Sequence, residues 1–378
     1  MDHDHVDVRR LDIDHVDVRR LRIPLTQPYR LAFGPVTHYD TVIVSLTGSG
    51  GEHGFGEATL LTGYTDETID ESWSLAREVA ATLPGIAANE ARRRMRELGA
   101  RAPFTATAFH TALDMAARHA LLVPSQNVRV PLLALLQGHD EAELRDAFGE
   151  LLAAGYRTVK VKIGFDVDQD LRFVASVQSI VAGRAAIRID ANQGYTGGDA
   201  VRLIHDLDPA GIELFEQPCA AGDWDAHRQA AAAAARTGLP LMLDESIYDL
   251  GDIDRAAEDA ACAYVKVKLM KFVGIDALVT AIERIRARGM KPVLGNGVAC
   301  DVSCWMEACV AARDIDNAGE MNGFLKAPSM LFAEPLACEG GDILLPDALP
   351  ELDRDALDGY TQARIECRQE IAGCRTRS

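Results

Sequence analysis

From about residue 130 the chain repeats one unit, a short apolar run followed by a stretch with helical spacing of apolar residues. Candidate strands lie at 131–136, 158–163, 186–190, 211–216, 240–244, 263–268 and 292–294, with a less regular eighth near 318–321. Helical periodicity fills the intervals at 141–154, 168–182, 223–237, 275–288 and 302–313. Short apolar strands alternating with amphipathic helices predict a parallel sheet covered on its faces by helices. Seven or eight such units in about 200 residues fit a (β/α)8 TIM-type barrel better than an open doubly wound sheet. The glycine-rich phosphate fingerprint of a dinucleotide fold is also missing after the first strand.

Ahead of that array the pattern differs. Residues 16–24 and 41–47 alternate as strands, 48–51 form a turn, and 66–83, 88–98 and 105–122 carry helical spacing. The division expected is a disordered extension (1–15), an N-terminal α+β domain (16–125), a barrel (126–340) and a segment that returns to the N-terminal domain (341–378). DHVDVRRL occurs twice, at 4–11 and 14–21. A tandem duplication at a chain start reads as an extension rather than as a His/Asp metal site.

The chain carries 57 acidic and 39 basic residues, a formal net charge of −18. That balance repels a nucleic-acid backbone or an anionic membrane surface. An anionic small substrate stays compatible, because a bound metal and local lysines can reverse the potential inside a pocket. The eight cysteines are irregularly spaced and lack a CxxC pair, which reads as reduced thiols in a cytoplasmic protein. The first residues are charged and lack an apolar core, so no secretory signal is expected, and no apolar window reaches membrane-spanning length.

In a barrel, functional side chains gather where the strands end at the C-terminal face. Every central strand carries ionisable residues there: Lys160 and Lys162 on the second, Asp190 (followed by Asn192) on the third, Glu216 on the fourth, Asp244 and Glu245 on the fifth, Lys266 and Lys268 on the sixth. Period-two alternation turns Lys160 and Lys162 to one face, and likewise Lys266 and Lys268, with the intervening valines facing the helices. Lysine is depleted in strands and rarely buried without a partner, so two such pairs point to chemistry. Asp190, Glu216 and Asp244 form an all-oxygen set suited to a hard cation such as Mg²⁺. Such a cation binds a substrate carboxylate and stabilises the enediolate left when an α-proton departs. Strands two and six lie opposite one another in an eight-stranded ring, so Lys162 and Lys268 are expected to address a substrate from its two faces.

Taken with GFGEA at 54–58, KVKIG at 160–164, Glu216-Gln217-Pro218 and Asp244-Glu245-Ser246, this constellation resembles the enolase superfamily, and within it the muconate lactonizing enzyme subgroup. The likeness runs from about Val16 to the end of the chain. It implies an N-terminal α+β capping domain, completed by the C-terminal segment, over the barrel. It also implies Mg²⁺, with Mn²⁺ as substitute, on Asp190, Glu216 and Asp244, and Lys162 and Lys268 as the acid/base pair. Lys160 then sits beside the substrate carboxylate and lowers the pKa of Lys162. The mandelate racemase subgroup uses a histidine on strand seven, whereas the last histidine here is His227.

Less closely specified are Asn192, a supporting or a turn residue, and Lys266, a substrate contact or a partner of Glu245. Tyr29 and Tyr64 fall in cap loops that close over substrate in the family. Cys300, Cys304 and Trp305 either line the pocket or pack a helix. Glu320 and Asn322 occupy the region where relatives select substrates; Glu320-Met-Asn322 departs from the Asp-x-Asp with which dipeptide epimerases hold an ammonium. The activity implied is racemisation or epimerisation of an amino-acid derivative. The alternatives are dehydration of a hydroxyproline or acid sugar and, with less support, a muconate-type cycloisomerisation. A small carboxylate substrate and a homo-oligomer are expected.

Overall fold

The computed structural model describes residues 11–31, 34–61, 65, 67–123, 127–369 and 371–377. Strands β1 (Ile13–Leu31), β2 (Gly34–Gly48) and β3 (His53–Leu60) come first, then helices α1 (Ile69–Thr82), α2 (Ala88–Gly99) and α3 (Pro103–Ala116). The array opens with β4 (Arg129–Pro131), β5 (Ala134–Leu135), α4 (Glu141–Ala153), β6 (Thr158–Lys162), α5 (Val167–Val181), β7 (Ala186–Asp190) and α6 (Gly197–Asp206). It continues through β8 (Ile212–Glu216), α7 (Trp224–Thr237), β9 (Leu241–Leu243), α8 (Leu250–Glu258), β10 (Tyr264–Val267), the one-turn α9 (Leu269–Phe272), α10 (Ile275–Ala287), β11 (Lys291–Leu294) and α11 (Asp301–Asp314). Last come β12 (Ala337–Glu339), β13 (Asp342–Leu344), α12 (Arg354–Tyr360), β14 (Thr361–Arg368) and β15 (Ile371–Arg377).

Strands β5 to β11 form one parallel sheet in sequence order. Val159, Val161, Ile189, Val265 and Val267 alternate with the polar strand residues and are buried against the helices. Side-chain caps fix the helix starts: Asp140, Asp166, Thr196, Asp223 and Asp249 each accept from a backbone N–H of the first turn. The eighth position is filled without a regular strand. Gly319 N–H donates to Pro131 O at 2.9 Å, Leu133 N–H to Gly319 O at 2.9 Å, and Glu320 N–H to Leu294 O at 3.0 Å. Pairing on both sides closes the ring, so the fold is a capped TIM-type barrel.

The cap sheet has the order β15-β14-β1-β2-β3, its last two strands supplied by the C-terminal segment. Helix α3 lies directly on β3. A Cβ on Gly56 would stand 2.1 Å from Ala108 O, and one on Gly54 2.2 Å from Ala112 O, which is why the GFGEA stretch needs glycine twice. β1 begins at Ile13, inside the stretch 1–15 read as an extension, because Leu11 and Ile13 are buried in the cap core. The second DHVDVRRL copy is therefore strand; the first lies outside the described residues except for Leu11.

Among the described residues no helix is long and apolar enough to cross a membrane. Among the described residues six cysteines are free, but Cys367 in β14 is disulfide-bonded, which corrects the expectation of thiols throughout. Spacing along a chain does not reveal which thiols a folded sheet brings within reach. Cys300, Cys304 and Trp305 are fully buried helix-packing residues.

Candidate active site

A cavity of about 310 Å³ opens at the C-terminal ends of β6 to β11. Lys160, Lys162, Asp190, Asn192, Glu216, Asp244, Lys266, Lys268 and Glu320 all line it. Leu61 and Phe104 of the cap, with Met270 and Val298, add an apolar wall. The loop after Lys162 is held from behind by Asp170, whose carboxylate accepts from Gly164 N–H at 3.1 Å, Phe165 N–H at 2.9 Å and the Tyr195 hydroxyl at 2.6 Å. Gly164 has φ +100°, and a Cβ there would meet Ala191 O at 2.3 Å, so the turn that releases Lys162 toward the cavity needs glycine.

The four strand lysines fall into two kinds. Lys160 and Lys266 have side chains only 1% and 3% exposed, whereas Lys162 and Lys268 are 22% and 14% exposed. Lys160 Nζ lies 2.8 Å from Asp190 Oδ2, 2.8 Å from Glu216 Oε2 and 2.9 Å from Glu320 Oε2. Lys266 Nζ lies 3.1 Å from Glu216 Oε1 and 3.7 Å from Asp244 Oδ2, and also donates to Glu320 Oε2. Of the two readings the sequence left for Lys266, a substrate contact or a partner of Glu245, the second gives way to pairing with Glu216 and Glu320, because the inward-turned lysine of β10 faces β8 and the closing segment. Lys162 Nζ donates to Asp190 Oδ2 at 2.5 Å and to Asn192 Oδ1 at 2.6 Å, and Lys268 Nζ to Asp244 Oδ2 at 2.7 Å. Asn192, at φ +41°, donates its amide to Glu245 Oε1 at 3.0 Å, linking the ends of β7 and β9.

Two residues missed in the sequence belong to this site. Lys271, on α9, donates to Asp244 O at 2.8 Å and Oδ1 at 3.3 Å and lies 4.5 Å from the Tyr248 ring centroid. Its one-turn spacing from Lys268 was the available signal. Gln217 accepts from Asp244 N–H at 2.9 Å and donates to the Ser246 hydroxyl at 2.8 Å, so the residue beside Glu216 sets the end of β9. Asn322 does not line the cavity: its amide donates to Leu133 O at 3.2 Å and its oxygen accepts from Lys326 at 3.2 Å. Tyr29 is placed by backbone pairing with Val36, while its side chain and all of Tyr64 lie outside the described residues.

Burial would raise all the carboxyls, and charge decides each outcome. Against burial, Lys160 and Lys162 carry Asp190 down to about 2. Lys268 and Lys271 hold Asp244 well below the usual carboxylate range, and Lys160 and Lys266 do the same for Glu320. Glu216 is pushed up to about 7 by burial and by the Asp190 charge, against the pull of Lys160 and Lys266. Burial lowers Lys271 to about 8.

Among the described residues no three acidic, histidine or cysteine side chains are gathered as a formed metal centre; lysine ammoniums stand between the carboxylates. The donor set nonetheless fits a hard divalent cation: three carboxylates end consecutive strands, and oxygen donors are what Mg²⁺ takes. Glu216 Oε2 has the Lys160 ammonium at 2.8 Å but outside hydrogen-bonding geometry, which leaves its lone pairs undirected.

The mandelate racemase / muconate lactonizing enzyme N-terminal domain matches residues 14–156, and the enolase C-terminal domain-like family matches residues 143–350. The chain belongs to the mandelate racemase / muconate lactonizing enzyme family of the enolase superfamily. Within that family, an L-Lys-D/L-Arg epimerase of Methylococcus capsulatus is 34% identical over 278 residues, 67% of this chain and 73% of the relative. A hydrophobic dipeptide epimerase of Citrifermentans bemidjiense is 30% identical over 353 residues, 86% of this chain and 93% of the relative. The solved N-succinyl Arg/Lys racemase of Bacillus cereus superimposes with a TM-score of 0.85 at 23% identity, over 95% of this chain and 100% of the other, a likeness of fold. These relatives are isomerases, and membership makes this chain an enzyme of the enolase superfamily.

Proposed function

We propose that this enzyme interconverts the two configurations at the α-carbon of a carboxylate-bearing amino-acid derivative. The observation that carries this reading is the division among the lysines. Lys162 and Lys268 alone of the four are partly exposed to the cavity, and they rise from positions with β7, β8 and β9 between their strands. A single base suffices for elimination; two opposed ones suit proton removal on one face and return on the other. The epimerases and racemases among the relatives support the same class.

Asp190, Glu216 and Asp244 would hold Mg²⁺, which when bound offsets the charge that develops on the substrate carboxylate as the α-proton leaves. Lys162, as the free amine, takes the proton from one face, its Nζ aimed by Asn192 Oδ1. Lys268, as the ammonium, delivers a proton to the other, and the roles reverse for the opposite isomer. Leu61, Phe104, Met270 and Val298 give the reacting carbon an apolar wall.

Incubation in D₂O with L-dipeptides and N-acyl amino acids should place one deuterium at the α-carbon with loss of configuration, read by proton NMR and mass spectrometry. Lys162→Ala and Lys268→Ala should each lower epimerisation by about 10²–10⁴-fold. Each should keep solvent exchange for one isomer only. Full epimerisation by either variant, or no exchange with any member of the panel, would refute the reading.

A further inference from the structure

We propose that Glu320 is a positioning residue that retains the buried ammoniums of Lys160 and Lys266 when Asp190 and Glu216 turn to a divalent cation. The proposal rests on the functional reading above. In the present arrangement Lys160 touches Asp190, Glu216 and Glu320, and Lys266 touches Glu216 and Glu320 with Asp244 slightly farther off. The two ammoniums therefore occupy, as surrogates, the place of positive charge among the three strand-end carboxylates. A divalent cation on those carboxylates competes with both lysines for the same oxygens.

Neither lysine can leave for solvent, since both rise from strand interiors and are almost fully buried. An unpaired ammonium in such a place is strongly disfavoured. Glu320 alone among the carboxylates these lysines touch lies outside the β7–β8–β9 arc: it sits on the segment that closes the ring and is anchored through its own N–H to Leu294 O. One of its oxygens, Oε2, already receives both ammoniums. It can thus keep them paired while the other three carboxylates are released. Glu320, in the region where relatives select substrates, thus has its charge committed to the protein's own lysines.

The test is a double-mutant cycle on Mg²⁺ binding by the substrate-free enzyme, measured by titration calorimetry with MgCl₂. Glu320→Gln should weaken binding by about tenfold or more, the size of coupling shown by neighbouring charges. Lys266→Met should bind Mg²⁺ no more weakly than the wild type, and Glu320→Gln/Lys266→Met should recover most of the loss, because the stranded ammonium is gone. An unchanged Kd in Glu320→Gln, or a double variant no better than Glu320→Gln, overturns the proposal. So does an unchanged Kd accompanied by a raised KM for free-amine dipeptides, the signature of a substrate-ammonium receptor. If Glu320→Gln does not fold, Glu320→Asp keeps the charge with a shorter reach; weaker Mg²⁺ binding supports the proposal and an unchanged Kd overturns it. Asp244→Asn separates the two levels of reasoning: if it binds Mg²⁺ as the wild type does, the functional reading itself falls, and this proposal with it.

Discussion

Replacing Glu57 by Ala should loosen the cap from the barrel. The Glu57 carboxylate is 2% exposed and accepts from Cys300 N–H at 2.7 Å, Ser303 N–H at 2.9 Å and the Thr59 hydroxyl at 2.6 Å. The two backbone groups open α11, whose N-cap residue Cys300 makes no side-chain cap bond. A cap-domain side chain thus does the capping that α11 does not do for itself. In the Ala variant both N–H groups stay buried without an acceptor, at about 1–3 kcal/mol each. The loss should total about 4 kcal/mol. With an unfolding entropy of about 2 cal/mol/K per residue, that is a fall of about 5 °C in Tm if all 378 residues unfold together. Burial raises the Glu57 carboxyl, while Thr59, Ser303 and Cys300 oppose the rise as donors. Glu57→Gln keeps one accepting oxygen and should lose about half as much. Differential scanning calorimetry reads both. A fall of less than about 1 °C in Glu57→Ala would show that α11 and the cap do not depend on this contact.

Burial pushes the Glu307 carboxyl up to about 8, against the Leu269 N–H and the Lys268 charge. The folded protein then keeps a proton that the unfolded chain loses near its ordinary value of 4.5, so stability falls as pH rises from there to about 8. Glu307→Gln should flatten that fall, with little effect at pH about 5 and a relative gain at about 9, read by urea denaturation; equal effects at both would refute it. Gly56→Ala would drive a Cβ to 2.1 Å from Ala108 O and 2.3 Å from Thr111 Oγ1. It should cost about 1–3 kcal/mol or more, seen as a lowered Tm, and a wild-type Tm would mean that α3 can retreat from β3.

The alternation of apolar strands with amphipathic helices is a local signal, set by which residues bury on a two-sided sheet, and it sufficed to reach the barrel. Period-two alternation likewise placed Lys160 with Lys162 and Lys266 with Lys268, and strand ends placed Asp190, Glu216 and Asp244 about one cavity. Partner choice was not legible in the same way. The two lysine pairs look alike in sequence and all four line the cavity, yet the first of each pair is almost fully buried among carboxylates and the second is partly exposed, a difference set by how deep each sits in the barrel. Glu320 and Lys160 are 160 residues apart, and Glu57 and Cys300 243 residues apart. Neither contact leaves a periodic trace. The closing segment at 318–321 hardly registers as a strand because it pairs through single bridges, yet it delivers the carboxylate that holds two buried ammoniums. The sequence by itself determined the fold and the kinds of groups at its open end. Which charge neutralises which was decided only by ring closure, since Coulomb interactions act across space and take no account of separation along the chain.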